Sequence, residues 1–346
     1  MATQVQPVER IHVPWAPSIP GVRLRHYRGQ PDFTGMSALI NASLAADGIE
    51  YLIAEQDIAN DYEHMTDCDP ETDMIMVEEN GVLVGYARMG WYKTSENQRI
   101  YYHVGYVHPR LRGRGLGTML LRFTERRARE IAKGHPQDGP RLMGASSSDK
   151  QETRSRLLKR AGYEAERFFF EMVRSLDEPL PHAPLPPGVE IRPAQEAHFR
   201  AIWHAMDEAF QDHWGHSPRT EEEYDRWING RNFQPKLWKI AWDGDQIVGT
   251  VLNYVDSKEN ASYDRRRGYT EDICVRRPWR RKGVARALLV ESMRMHREMG
   301  MQETSLGVDT DNPNGALRLY KSVGYTPFSR QMALRKPLND QQTWWE

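Results

Sequence analysis

Residues 275–285 read Val275-Arg276-Arg277-Pro278-Trp279-Arg280-Arg281-Lys282-Gly283-Val284-Ala285. A strand ends at Val275, a basic glycine loop follows, and a helix then begins. Positions 285, 288, 289, 292, 295 and 299, apolar apart from Ser292, predict one helical face, and Gly300 supplies the stop. Small residues in such a loop let the backbone approach a ligand closely. Because the loop opens a helix, its free N–H groups and the helix dipole face one point. That is an anion site suited to a pyrophosphate. No Gly-Lys-Ser/Thr follows, which excludes a P-loop, and the G-x-G-x-x-G spacing of a dinucleotide fold is missing.

The same passage occurs earlier, as Val107-His108-Pro109-Arg110-Leu111-Arg112-Gly113-Arg114-Gly115-Leu116-Gly117, at an offset of 168. Its helix shows apolar spacing at 117, 120, 121, 124, 128, 131 and 132 before Gly134. Gly21-Val22-Arg23-Leu24-Arg25 resembles Gly188-Val189-Glu190-Ile191-Arg192 at an offset of 167, and Ala161-Gly162-Tyr163 resembles Val323-Gly324-Tyr325 at 162. A period this long means two globular copies of one domain. Each copy begins with a strand (22–26, 189–192) and a helical region. A hairpin follows, turning at Asn80-Gly81 or Asp243-Gly244. After the loop and its helix come a strand, a short helix, a Gly-Tyr turn and a last strand. The run Asp177–Pro187, DEPLPHAPLPP, reads as a stiff connector between copies. The expected layout is an arm at 1–20, a first domain at 21–176, a linker at 177–187, a second domain at 188–337 and a tail at 338–346.

The chain has 346 residues, 39% hydrophobic and 27% charged, which supplies cores for two domains. A formal net charge of -1 argues against a protein that grips nucleic acid or an acidic membrane. No apolar run reaches bilayer length, and the start, MATQVQPVER, lacks a secretory pattern. Cys68 and Cys274 fall in different halves without metal-ligand spacing. A cytoplasmic protein with no metal and no disulfide framework is expected.

Arg/Gln-x-x-Gly-x-Gly/Ala, after a strand ending in Val and before an amphipathic helix, resembles the acetyl-CoA signature of the GCN5-related N-acetyltransferases. The terminal Gly-Tyr of each copy agrees, and the resemblance covers about 150 residues in each half. It implies two tandem α+β domains, each a mixed, mostly antiparallel sheet flanked by helices. It further implies that acetyl-CoA lies where two parallel strands splay apart. Its pantetheine arm would meet backbone near Cys274 and Val275. Its pyrophosphate would meet Arg280, Arg281, Lys282, Gly283, Val284 and Ala285, and Asn312 would bond the arm. The first-copy equivalents are Val107, Arg112, Gly113, Arg114, Gly115, Leu116 and Gly117.

Direct attack of an amine on the thioester needs a base for the ammonium proton and an acid for the departing thiolate. Tyr320 stands at the family's acid position, on the helix before Gly324-Tyr325. Glu271, four residues before Val275, is the first choice of base and Asp272 the alternative. Strand alternation puts 271 on one face with 273 and 275, and 272 on the other. In the first copy Leu158 stands where Tyr320 does, and His103 where Glu271 does. That copy is expected to be silent in transfer, with CoA binding still open to it and His103 a base in reserve.

Asp212, His213 and Trp214 fall in a loop that walls the acceptor site in this family, and are the substrate-side candidates. Arg265, Arg266, Arg267, Arg276 and Arg277 form a basic cluster with the loop, for which the polyanionic end of CoA is the simplest account. Trp344-Trp345 pack back on a domain or meet another subunit. The expected activity is acetyl transfer to a primary amine of a small molecule in the C-terminal copy. The two-copy arrangement is similar to that of family members acting on a cysteinyl amine. A CoA-binding protein without transfer is the other reading. Monomer and homodimer both suit the sequence.

Overall fold

The computed structural model describes residues 11–339 and 344–345. The opening stretch, residues 1–10, and most of the tail beyond 339 lie outside the described residues. Two compact units emerge. One holds the described residues up to 166 and from 333 on, the other residues 167–332.

In unit 1, β1 (Val22–Arg25), β2 (Met74–Glu79), β3 (Val82–Lys93) and β4 (Arg99–Val107) form an antiparallel run. β5 (Arg141–Ser148) then pairs parallel to β4. Helices α1 (Phe33–Ala46) and α2 (Glu55–Glu63) precede β2, α3 (Leu116–Ala132) joins β4 to β5, and α4 (Glu152–Arg160) follows β5. The Met74-Ile75-Met76-Val77 stretch is apolar throughout because both of its faces are covered. Ile75 and Val77 meet Leu116, Met119 and Leu120 of α3. Met74 and Met76 meet Met36, Leu39 and Ile40 of α1. The hairpin turns at Asn80-Gly81 as expected, with positive φ at both residues, the form that matches strand twist.

Unit 2 repeats this plan. Its strands are β6 (Glu164–Ser175, from Arg167 on), β7 (Val189–Arg192), β8 (Lys239–Asp243), β9 (Gln246–Tyr254), β10 (Arg267–Val275) and β11 (Glu303–Asp309). β7 to β10 are antiparallel in sequence order, β11 is parallel to β10, and β6 is antiparallel to β11. Helices α5 (Phe199–Phe210), α6 (Glu221–Ile228), α7 (Ser257–Ser262), α8 (Val284–Glu298) and α9 (Ala316–Ser322) complete it. Trp203 and Met206 of α5 cover Ile240 and Trp242, while Leu288 of α8 covers Ala241 and Val251. Each sheet is thus mixed, mostly antiparallel and flanked by helices.

Two features depart from the sequence reading. The units divide within β6 and within β12 (Thr326–Pro337), not at the proline run. The strand after the first Gly-Tyr turn gives residues 169–175 to a ladder with β11. Residues from 333 on return to unit 1, where Lys336 Nζ lies 2.6 Å from Glu125 Oε1. The proline run, which has neither helix nor strand, remains within unit 2, and Arg174 Nη2 donates to Pro179 O at 2.9 Å. The buried face of α8 runs through Val284, Ala287, Leu288, Leu289, Val290, Ser292, Met293 and His296, so Met299 is left exposed instead of packed.

The arm and tail both dress unit 1. Val13 and Ile19 join the core beside α3, and Arg122 and Arg126 lie over the Trp15 ring at 4.3 and 4.7 Å. Trp345 lies under Arg122 and Arg129, and Trp344 under Arg160. The tryptophan pair therefore packs back onto its own chain. Among the described residues, no helix is long and apolar enough to cross a membrane.

Candidate active site

Each unit contains one pair of parallel strands, and each pair opens after a few residues. β10 and β11 are in register only from Arg267–Glu303 to Tyr269–Ser305. β4 and β5 pair only from Arg99–Arg141 to Tyr102–Gly144. Beyond those points the facing strand edges lack a common ladder, and the glycine loop with its helix sits at the mouth.

The two loops share one backbone course. Arg112 and Arg280 are extended, at φ -64 ψ 154 and φ -64 ψ 152. Gly113 and Arg281 follow with φ 76 and 62, then Gly115 and Gly283 with φ 87 and 89. The left-handed cap is a natural place for glycine, whereas Arg281 holds its left-handed position against the usual Cβ clash. No side chain caps α3 or α8. Their first N–H groups are therefore unclaimed within the helix and point at the mouth.

The leading arginine of each loop is not free to meet a ligand. Arg280 Nε donates to Val275 O at 3.0 Å, and its Nη1 lies 2.7 Å from Asp212 Oδ2. Arg112 Nε donates to Val107 O at 3.4 Å, and its Nη1 lies 2.5 Å from Asp47 Oδ1. An acid at the end of the first helix region thus pins the loop to the strand end in both units. Hydrogen bonds from Arg277 and Arg280 hold the Asp212 carboxyl down at about 2. Asp212 is therefore spent on the loop, contrary to its expected place in the acceptor wall. The basic cluster is also largely paired: Arg265 with Glu259, Arg267 with Glu303 and Glu171, Arg276 with Glu208, and Arg277 with Asp212.

A cavity of about 240 Å³ fills the opening of unit 2. It gathers Cys274, Val275, Arg280, Arg281, Gly283, Val284, Ala285, Asn312, Tyr320 and His213 from the sequence candidates. Glu271, Lys282, Asp212 and Trp214 stay outside its wall, and Trp214 packs near Phe169 at 6.2 Å between ring centroids. Arg286, Asn314 and Leu319 also line it without having been anticipated, since helix and turn positions carry no chemical signature. Asn312 Oδ1 accepts from Asn314 N at 2.9 Å, so the turn role of Asn312 is realised alongside its place in the wall. Burial lifts the Cys274 thiol to about 11 and keeps it protonated.

Strand alternation fails where it matters. The β9–β10 register shifts between Glu271 and Cys274, and Asp272 takes φ 45. Thr250 Oγ1 donates to Asp272 O at 2.8 Å, inside the bulge. An extra residue here re-aims the side chains beside the cavity, so the face assignment made from simple alternation does not hold. Asp272 stands 3.8 Å from Arg219, which itself lies over the Trp203 ring at 4.3 Å. Glu271 reaches solvent, yet surrounding protein, Asp272 and Glu171 push its carboxyl up to about 7. Tyr320 is buried, which raises its phenol well above the usual value, with Tyr325, Cys274 and Glu271 adding to the rise. Its hydroxyl has no hydrogen-bond partner among the described residues.

The opening of unit 1 holds a larger cavity, about 560 Å³, lined by Val107, Arg112, Gly113, Gly115, Gly117, His103 and Leu158. Arg114 is outside the wall, and Leu116 is in the core beneath α3. Burial, with Arg154 and Lys336 nearby, drives the His103 imidazole down to about 3. A base that weak accepts an ammonium proton poorly.

The model of the acetyltransferase (GNAT) family matches residues 39–135 and 199–325, one stretch in each unit. The chain belongs to this family. It is an N-acetyltransferase of tandem form. The mycothiol acetyltransferase of Geodermatophilus obscurus is 26% identical over 308 residues, covering 86% of this chain and 92% of that one. That of Thermobispora bispora is 29% identical over 66% of this chain and 74% of its own. Among solved structures, a GCN5-related N-acetyltransferase from Sphaerobacter thermophilus matches with TM-score 0.68 and 28% identity, over 93% of this chain and 97% of that one. A tandem GNAT protein from the clavulanic acid pathway, at 15% identity and TM-score 0.61 over 92% and 99%, shares the fold.

Proposed function

We propose that the opening of unit 2 transfers an acetyl group from acetyl-CoA to a primary amine of a small molecule, by direct attack within a ternary complex. One observation carries this reading. Tyr320 offers an unpartnered phenol in the cavity below the uncapped start of α8, with Glu271 near neutrality at the adjoining bulge.

The residues suit the cofactor. The free N–H groups of α8 and the Arg281 side chain are placed to donate to a pyrophosphate. The unladdered edge of β10 at Val275 and the side chain of Asn312 suit an extended amide-bearing arm. Acetyl-CoA supplies the activated thioester. Glu271, about half ionised near neutral pH, takes the ammonium proton, directly or through water. Burial raises the Asp272 carboxyl while Arg219, 3.8 Å away, opposes that rise, so Asp272 is the second carboxylate candidate at the bulge. Tyr320, kept neutral by burial, has a proton to give to a thiolate.

With relatives named mycothiol acetyltransferase, a cysteinyl amine is the acceptor this reading favours. The setting is the cytoplasm, in keeping with two unpaired thiols. Thiol release from acetyl-CoA, followed against a panel of amines that includes a cysteinyl amine, tests the proposal. Release with an amine of the panel supports it. Tight CoA binding with no release from any of them would favour a CoA-binding role without transfer.

A further inference from the structure

The repeat lets the two openings be compared residue by residue. β4 precedes β10 by 168 positions, as Arg99 and Arg267 show in their ladders, and β5 and α4 precede β11 and α9 by 162. Arg154 therefore stands where unit 2 has Ala316, Gly105 where it has Ile273, and Ser146 where it has Val308.

Arg154 does something that Ala316 has no atoms to do. Its Nε donates to Ser146 O at 2.7 Å and its Nη1 donates to Gly105 O at 3.0 Å. One side chain thus ties both strands together just past their last ladder pair. Among the described residues, no carboxylate pairs with it. The guanidinium is held by peptide oxygens, and burial lowers its pKa. Volume is not what separates the units, because the cavity of unit 1 is the larger. What is taken is the strand edge. An extended arm rich in amides needs the carbonyls and N–H groups of that edge, and Gly105 O is already used. Displacing Arg154 would strip a half-buried cation of its two peptide acceptors, which is costly.

We propose that Arg154 closes the opening of unit 1 to the pantetheine arm of CoA, so that the chain binds one CoA, in unit 2. This rests on reading the opening of unit 2 as the CoA seat. Arg154 is then the residue that makes two openings with loops of the same backbone course unequal in what they hold.

Calorimetric titration of the full chain with CoA tests this. The wild type should bind one CoA per chain. Ala285→Glu puts an anion where the pyrophosphate would sit, at a helix start that tolerates acids, and should abolish both binding and acetyl transfer. Adding Arg154→Ala to Ala285→Glu should restore one site, now in unit 1, while Arg154→Ala alone should bind two and keep wild-type transfer. Arg154→Ser serves the same purpose if the alanine variant does not fold. Two CoA bound by the wild type overturns the proposal whatever the variants do. So does one CoA retained by Ala285→Glu with transfer lost, or Arg154 variants that fold and gain no site. If Ala285→Glu leaves binding and transfer both intact, the reading of unit 2 fails and the proposal falls with it.

Discussion

Arg280 and Asp212 form an ion pair of 2.7 Å that fixes the glycine loop of unit 2 to the first helix region. The pair recurs in unit 1 as Arg112 and Asp47. A signature arginine that looks like a ligand contact is therefore a brace. Its guanidinium also bonds Val275 O and Ala209 O, so the loop, the strand end and α5 are held as one piece.

Asp212→Asn should loosen that brace without touching the acceptor. The expected result is a rise of about tenfold in KM for acetyl-CoA, from loss of a charge-assisted bond of ~1.5 kcal/mol, with KM for the amine unchanged. Steady-state kinetics in both substrates checks it. A rise confined to the amine KM would return Asp212 to the acceptor wall.

Glu271 should shape the pH dependence. Its carboxyl is raised to about 7, so the ionised, proton-accepting form grows as pH rises through that value. The rate at limiting amine should therefore climb through about pH 7 and lose that inflection in Glu271→Gln. The variant should also lose about a hundredfold or more in kcat. A pH profile of kcat/KM for both proteins makes the comparison. If the inflection persists in Glu271→Gln, it belongs to another group.

Tyr320→Phe removes a hydroxyl that bonds no protein group. Folding stability should change little, since packing of the ring is retained and no hydrogen bond is lost. Turnover should fall by about a hundredfold where chemistry limits the rate, with the Kd for CoA unaltered. Thermal unfolding and calorimetry run beside the assay separate the three effects.

Gly283→Val tests the loop backbone itself. At φ 89 a β-branched residue is strained, at a cost of about 1–2 kcal/mol. The start of α8 should shift, weakening CoA binding and lowering Tm. Arg281→Gly, which copies Gly113 of unit 1, should not lower Tm comparably. Equal effects from the two substitutions would mean that left-handed geometry is not what the loop needs.

Much of this architecture was legible in the residues. Asn80-Gly81 makes the first hairpin with positive φ at both residues, whereas the second turns one position later than expected, at Gly244-Asp245, because Asp243 still pairs with Gln246 and only Gly244 takes positive φ. The repeat offsets survive as matching ladder registers. Three features were not legible. The bulge at Glu271–Cys274 depends on Thr250 from a neighbouring strand, and alternation along one strand carries no trace of it. Asp212 looked like a substrate residue because its partners, Arg277 and Arg280, lie 65 and 68 positions away. Arg154 had no visible meaning, since a helix-start arginine is ordinary until two strand carbonyls appear at its tip.

The central claim is that transfer happens in unit 2 alone. Single-turnover acetyl transfer to a cysteinyl amine should be compared in the wild type, the double variant Glu271→Gln/Tyr320→Phe, and His103→Ala. The account predicts that the double variant still binds CoA but transfers at least about a thousandfold more slowly, while His103→Ala matches the wild type. Transfer retained in the double variant, or lost in His103→Ala with CoA still bound, would contradict it.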